Sequence, residues 1–185
     1  TLLKDIPQNY FWSLLNNIRY HSISLLENLE VNSYNFNRKF NKVSESILNH
    51  KNMFYLINKT DPVVINKMNL ETGELNEIKK CKRYNLHFCK LCTNCIKLDE
   101  LYVFTIYHKY GSDRLHKFIG LNENLDIVII TESFHLNNIT DERIFELSNG
   151  LEDTIEIYWN IEDKLSYKAN IRKKTFKKFL LQYIL

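Results

Sequence analysis

The sequence predicts an α+β fold: an N-terminal helical hairpin, a small and mostly antiparallel sheet with a cysteine metal knuckle, and a C-terminal amphipathic helix. Three observations predict it. Apolar residues recur at spacings of three and four over positions 1–50. Short β-branched and aromatic runs separated by turn residues fill the middle of the chain. All four cysteines, Cys81, Cys89, Cys92 and Cys95, fall in one short stretch.

The elements follow in order. Phe11, Leu14, Leu15, Ile18, Leu25, Leu26 and Leu29 suggest a first helix over about 8–30, with Pro7 just before it, where a helix accepts proline. Phe36, Phe40, Val43, Ile47 and Leu48 suggest a second over about 34–50. Strands are expected at 53–57, from 63, and from 75 to about 84, with a turn at Asp61-Pro62 and a hairpin tip at Gly73. Further strands are expected at 102–107, 115–119 and 125–130, the first two joined by a turn at Gly111. A short helix over 141–148 is expected from the N-cap candidate Thr140, the acids Asp141 and Glu142, and Gly150 at its end. A hairpin, 154–159 with 165–169, leads to the last helix, 171–185. The expected organisation is one domain over 1–185, with the hairpin at 1–50 and the α+β part at 53–185.

The chain has 185 residues, 44% hydrophobic and 25% charged, enough for a real core. It lacks an apolar run long enough for a membrane helix, and Thr1-Leu2-Leu3-Lys4-Asp5 lacks the look of a signal peptide, so a cytoplasmic protein is expected. The opening Thr1 suggests a trimmed or processed chain. One alanine, two prolines and four glycines beside many Asn, Lys, Ile, Tyr and Phe reflect A/T-rich codons, not function.

Charge is segregated. Residues 121–163 hold eleven acids and one base, Arg143, whereas 164–185 hold seven bases and no acid. The acidic 141–163 face is a candidate for basic proteins, and the basic end for polyanions.

Cys89-Lys90-Leu91-Cys92-Thr93-Asn94-Cys95, with Cys81 upstream, has spacings that let thiolates turn onto one ion at about 2.3 Å. Structural zinc on Cys81, Cys89, Cys92 and Cys95 is the leading reading. His87 in place of Cys81, unmetallated thiols packed as small hydrophobes, and an iron–sulfur cluster are its alternatives. Four protein ligands leave no position for a reactive water, so no catalysis is expected there.

Glycine-rich phosphate loops, HExxH and Gly-Xaa-Ser-Xaa-Gly are absent. A histidine–carboxylate enzyme would need a pocket at His108, His116 or His135, and His108 and His116 could face each other across the Gly111 turn. The stronger signal is basic residues mixed with aromatics: Lys79, Lys80, Lys82 and Arg83 with Tyr84, and Arg172, Lys173, Lys174, Lys177 and Lys178 with Phe176 and Phe179. Lysines bind phosphate with little base preference, and exposed rings stack on unpaired bases.

Taken over its whole length, this arrangement in an A/T-biased chain resembles the microsporidian ribosome-associated dormancy factors. The resemblance implies an RNA and ribosomal-protein partner and a blocking role without chemistry. A protein–protein adaptor using the helical hairpin is the competing class.

Overall fold

A computed structural model describes residues 11–12, 21–27, 30–36, 45–69, 72, 74–111, 113–136, 142–161 and 165–185. The described part is dominated by antiparallel strands, with one short helix, which overturns the expected α+β class.

Among the described residues no N-terminal helical hairpin forms. The strands are β1 (Phe11–Trp12), β2 (His21–Glu27) and β3 (Glu30–Phe36), paired antiparallel in that order, and then β4 (Ser46–His50). The parts of the expected helices at 8–10, 13–20, 28–29 and 37–44 lie outside the described residues. Where strands form, the sequence is rich in Asn and Ser (Ser22, Ser24, Asn32, Ser33, Asn35), whose side chains compete with helical hydrogen bonds. In a chain this dense in Leu, Ile and Phe, spacings of three and four arise without a helix.

From β4 onward the strands form three layers. The first sheet runs β4, β5 (Met53–Thr60), β6 (Val63–Met68) and β7 (Leu75–Lys80). The central sheet contains β8 (Cys89–Leu91), β9 (Ile96–Leu98), β10 (Leu101–Tyr110), β11 (Asp113–Leu121) and β12 (Ile127–Ile130), with β10 in the middle. The third is β13 (Glu142–Asn149), β14 (Thr154–Ile161) and β15 (Leu165–Arg172), followed by α1 (Lys173–Leu180).

Alternation along β10 explains the layering, because successive side chains in a strand point to opposite faces. Tyr102, Phe104 and Ile106, with Ile119 and Leu121 of β11, pack against Leu48, Tyr55, Ile57 and Ile65 of the first sheet. Val103, with Phe118 and Ile129, packs against Ile144, Leu147, Ile155, Ile157 and Trp159 of the third sheet and against Phe176 and Leu180 of α1. The central sheet is therefore apolar on both faces, which is why its strands read as nearly continuous hydrophobic runs.

The helix expected at 141–148 is the strand β13. Its register shifts between Ile144 and Glu146, so that Ile144 pairs with Trp159 and Leu147 with Ile157. A bulge of this kind puts two residues three apart on one face and imitates helical spacing in the sequence. The last helix is shorter than expected: α1 ends at Leu180, a 3₁₀ turn covers Leu181–Tyr183, and Ile184 bridges to Ile129.

Candidate functional site

The cysteine segment is an interrupted strand along one edge of β10. Leu91 pairs with Ile106 and Ile96 with Val103, so β10 advances three residues while the partner segment advances five, and the excess loops out at 92–95. Thr93 fastens the loop by accepting the Thr105 N–H at 3.0 Å. Cys89 follows the strand and packs toward the first core, near Asp61 and Lys117. Cys92, at the start of the loop, lies near Arg143, Arg114 and Cys89. Cys81 and Cys95 are core side chains, the Cys81 thiol donating to Leu125 O at 3.5 Å and the Cys95 sulfur lying 3.6 Å from Ser46 Oγ.

Two residues between cysteines converge on an ion in a turn, but the chain from Cys89 to Leu91 is extended. Among the described residues no three His, Cys, Asp or Glu side chains are grouped to hold a metal. Burial raises the pKa of all four thiols, that of Cys95 to about 12, partly offset at Cys92 by Arg143 and Arg114. Neutral thiols are poor nucleophiles. At pH 8 the four cysteines are therefore expected to react with iodoacetamide well below the rate of free cysteine. A fast-reacting residue in a mass-resolved labelling time course would overturn this.

Part of the segregated charge is paired within the fold. Lys168 meets Glu156 at 2.6 Å, Lys173 meets Asp153 at 3.8 Å, and Lys79 meets Asp126 at 2.7 Å. Lys177 binds Asp99 and lies near Glu100. Glu142 is fully buried. Of the basic residues singled out in the sequence, Lys80, Lys82, Arg83, Arg172, Lys174 and Lys178 are exposed. Their aromatic companions are not stacking platforms: Phe176 is core, and Tyr84 and Phe179 pack onto the cores.

His108 and His116 do not face each other. His108 pairs with Leu115 and Tyr107 with His116, so the two histidines occupy opposite faces of the hairpin. His116 is fully buried, and its Nε2 accepts the Ile144 N–H at 3.2 Å, tying β11 to β13. Burial, then the neighbours His135, Arg114 and Arg143, lower its pKa to about 4. His135 Nδ1 lies 3.7 Å from Glu142, whose Oε1 accepts the Leu136 N–H. We read this cluster as a polar tie between layers.

A concavity lies elsewhere. A cavity of about 300 Å³ lies between the end of β5 (Asn58, Lys59, Thr60), with Asp61 of the following turn, and residues 86–91. Thr60 Oγ1 donates to Cys89 O at 2.8 Å and joins its two walls. Asn85 and Phe88 have left-handed backbone, φ 56° and 63°. For a bulky residue this is uncommon, and Phe88 is 86% exposed. Lys59, His87 and Lys90 stand exposed on the rim. Inside is Asp61, its side chain only 6% exposed. His87 Nδ1 lies 2.6 Å from Asp61 Oδ2, and neither carboxylate oxygen accepts a hydrogen bond among the described residues. Sequence reading missed this site, because Asp61 reads as a turn residue and Phe88 has no periodic partner.

No known protein family's model matches the chain, and no curated protein matches it. Among the described residues, no helix is long and apolar enough to cross a membrane.

Proposed function

We propose that the protein is a non-catalytic, cytoplasmic RNA-binding accessory factor that docks on unpaired RNA, such as that displayed by a ribosome. The observation that carries this is Phe88, a solvent-facing ring on a rim with Lys59 and Lys90, in a loop that also exposes Lys82 and Arg83. Aromatic rings stack on splayed bases, and neighbouring lysines neutralise the phosphates between them. The raised thiol pKa values argue against cysteine nucleophile chemistry in the same cavity.

The C-terminal helix has a smaller part in this reading than its sequence suggests, since Lys173 and Lys177 already face carboxylates. Binding of a labelled mixed-sequence single-stranded RNA, followed by anisotropy, tests the proposal. Phe88→Ala is expected to weaken binding by about 1–3 kcal/mol, the usual worth of one base–aromatic stack. Lys59→Glu with Lys90→Glu should weaken it further and flatten its salt dependence. Lys174→Glu with Lys178→Glu should have the lesser effect. Unchanged binding in the Phe88 and Lys59/Lys90 variants would reject the proposal.

A structural zinc on Cys81, Cys89, Cys92 and Cys95 would serve the same reading by bracing the loop. It requires the sulfurs to converge further than they do here. About one zinc per purified chain, lost in Cys92→Ser, would support it, and metal-free protein that still binds RNA would remove it.

A further inference from the structure

We propose that the Asp61 cavity selects guanine, so that the RNA surface reads one unpaired base by its Watson–Crick edge. This rests on the RNA-binding reading and names the ligand of that same site.

Asp61 is the point of departure. A carboxylate removed from water without aligned donors is a costly arrangement, and it becomes favourable when a ligand brings the donors. An ionised carboxylate is acceptor-only, with two oxygens side by side. Guanine alone among the four RNA bases offers a matching pair on its Watson–Crick edge, N1–H and one hydrogen of the N2 amine. Adenine, cytosine and uracil each turn at least one acceptor toward that position, and an acceptor facing a carboxylate is repelled.

The surroundings suit a nucleotide better than a cation. A guanidinium would also satisfy Asp61, but Lys59 and Lys90 on the rim disfavour a positive ligand and favour one that carries phosphate. About 300 Å³ is at the small end of ligand pockets, which suits one base and its sugar. Phe88 stands at the edge to cover the face of the base. His87 is the group the base would displace: its side chain is 60% exposed, and it lies 2.6 Å from Oδ2, where guanine would bring two donors in place of one.

The test is titration of the purified full chain with 5′-mononucleotides, read by the transfer of saturation to ligand protons and by calorimetry. Guanosine monophosphate is expected to bind about tenfold or more tighter than the adenosine, cytidine and uridine monophosphates, the usual gain from one good bidentate contact. Inosine monophosphate, which lacks the N2 amine, and 1-methylguanosine monophosphate, which lacks N1–H, should both lose that advantage. These analogues probe Asp61 in the unaltered protein, so the test stands even if an Asp61 variant fails to fold. Asp61→Asn, where it folds, presents one donor and one acceptor and should move the preference from guanine toward adenine and cytosine. Equal binding of the four nucleotides, or retained preference with both analogues, overturns the proposal. So does displacement of guanosine monophosphate by arginine amide at equal concentration. RNA binding without guanine preference would reject this inference and leave the RNA reading intact. Guanosine monophosphate binding without affinity for longer RNA would do the reverse.

Discussion

Replacing Phe104 by alanine is expected to destabilise the protein by about 3–5 kcal/mol, a large part of what a domain of this size has to lose. Phe104 is fully buried in β10 and pairs with Ile119 of β11. Its ring enters the core between the central and first sheets, with Ile57, Ile65 and Ile106 in the same cluster. Those neighbours come from different strands of two hydrogen-bonded sheets and cannot collapse far into the space left behind. The loss therefore combines the transfer of the ring with an unfilled cavity. Urea unfolding of the two proteins checks this. A midpoint shift equivalent to less than about 1 kcal/mol at unchanged slope would show that Phe104 is not part of a packed interlayer core.

Acidification is expected to remove about 3 kcal/mol through His116 alone. In the folded chain its pKa is about 4, against 6.5 for an ordinary histidine. The unfolded state therefore binds the proton first, and stability contributed by the neutral imidazole is complete above about pH 6.5. It declines between 6.5 and 4 and is gone below that range. The groups around the ring set the direction: His135, Arg114 and Arg143 oppose a further positive charge. Glu142 belongs to the same cluster and partners His135. Protonation would also deprive the Ile144 N–H of its acceptor and loosen β13 from β11. In His116→Gln the side-chain oxygen can still accept that N–H but does not titrate. Between pH 7 and pH 4 the variant is expected to lose about 3 kcal/mol less stability than the parent. Parallel pH profiles for the two proteins would refute the assignment.

Local pattern was a good guide wherever one strand followed another through a recognisable turn. The strands at 53–60, 101–110, 113–121 and 154–161 lie where β-branched and aromatic runs placed them, and Gly111 takes its turn with φ 61°. The pattern misled where strand geometry departs from strict alternation. The bulge in β13 gave Ile144 and Leu147 helical spacing. Density of large apolar residues did the same in the first fifty positions, where β2, β3 and β4 are strands.

The candidate site was less legible. Clustering of the cysteines was visible, but whether two of them share a face depends on whether the chain between them turns or extends, and that is decided by pairing with β10. The opposed charge blocks were visible too, yet their partial pairing through Lys168–Glu156 and Lys173–Asp153 required the fold. Asp61 and Phe88 are about a quarter-hundred positions apart and become one cavity only when the end of β5 meets residues 86–91.

By itself, the sequence determined the β-branched and aromatic runs of the central strands, the turn that reverses the chain after β10, and the poverty of glycine that excludes a glycine-rich phosphate-cradling loop. Tertiary structure alone decided which sheets cover those faces, which lysines stay free of carboxylates, and where an acid is buried beside an exposed ring. The physical reason is range. Propensity and alternation act over a few residues, whereas pairing and burial depend on contacts between segments far apart in the chain.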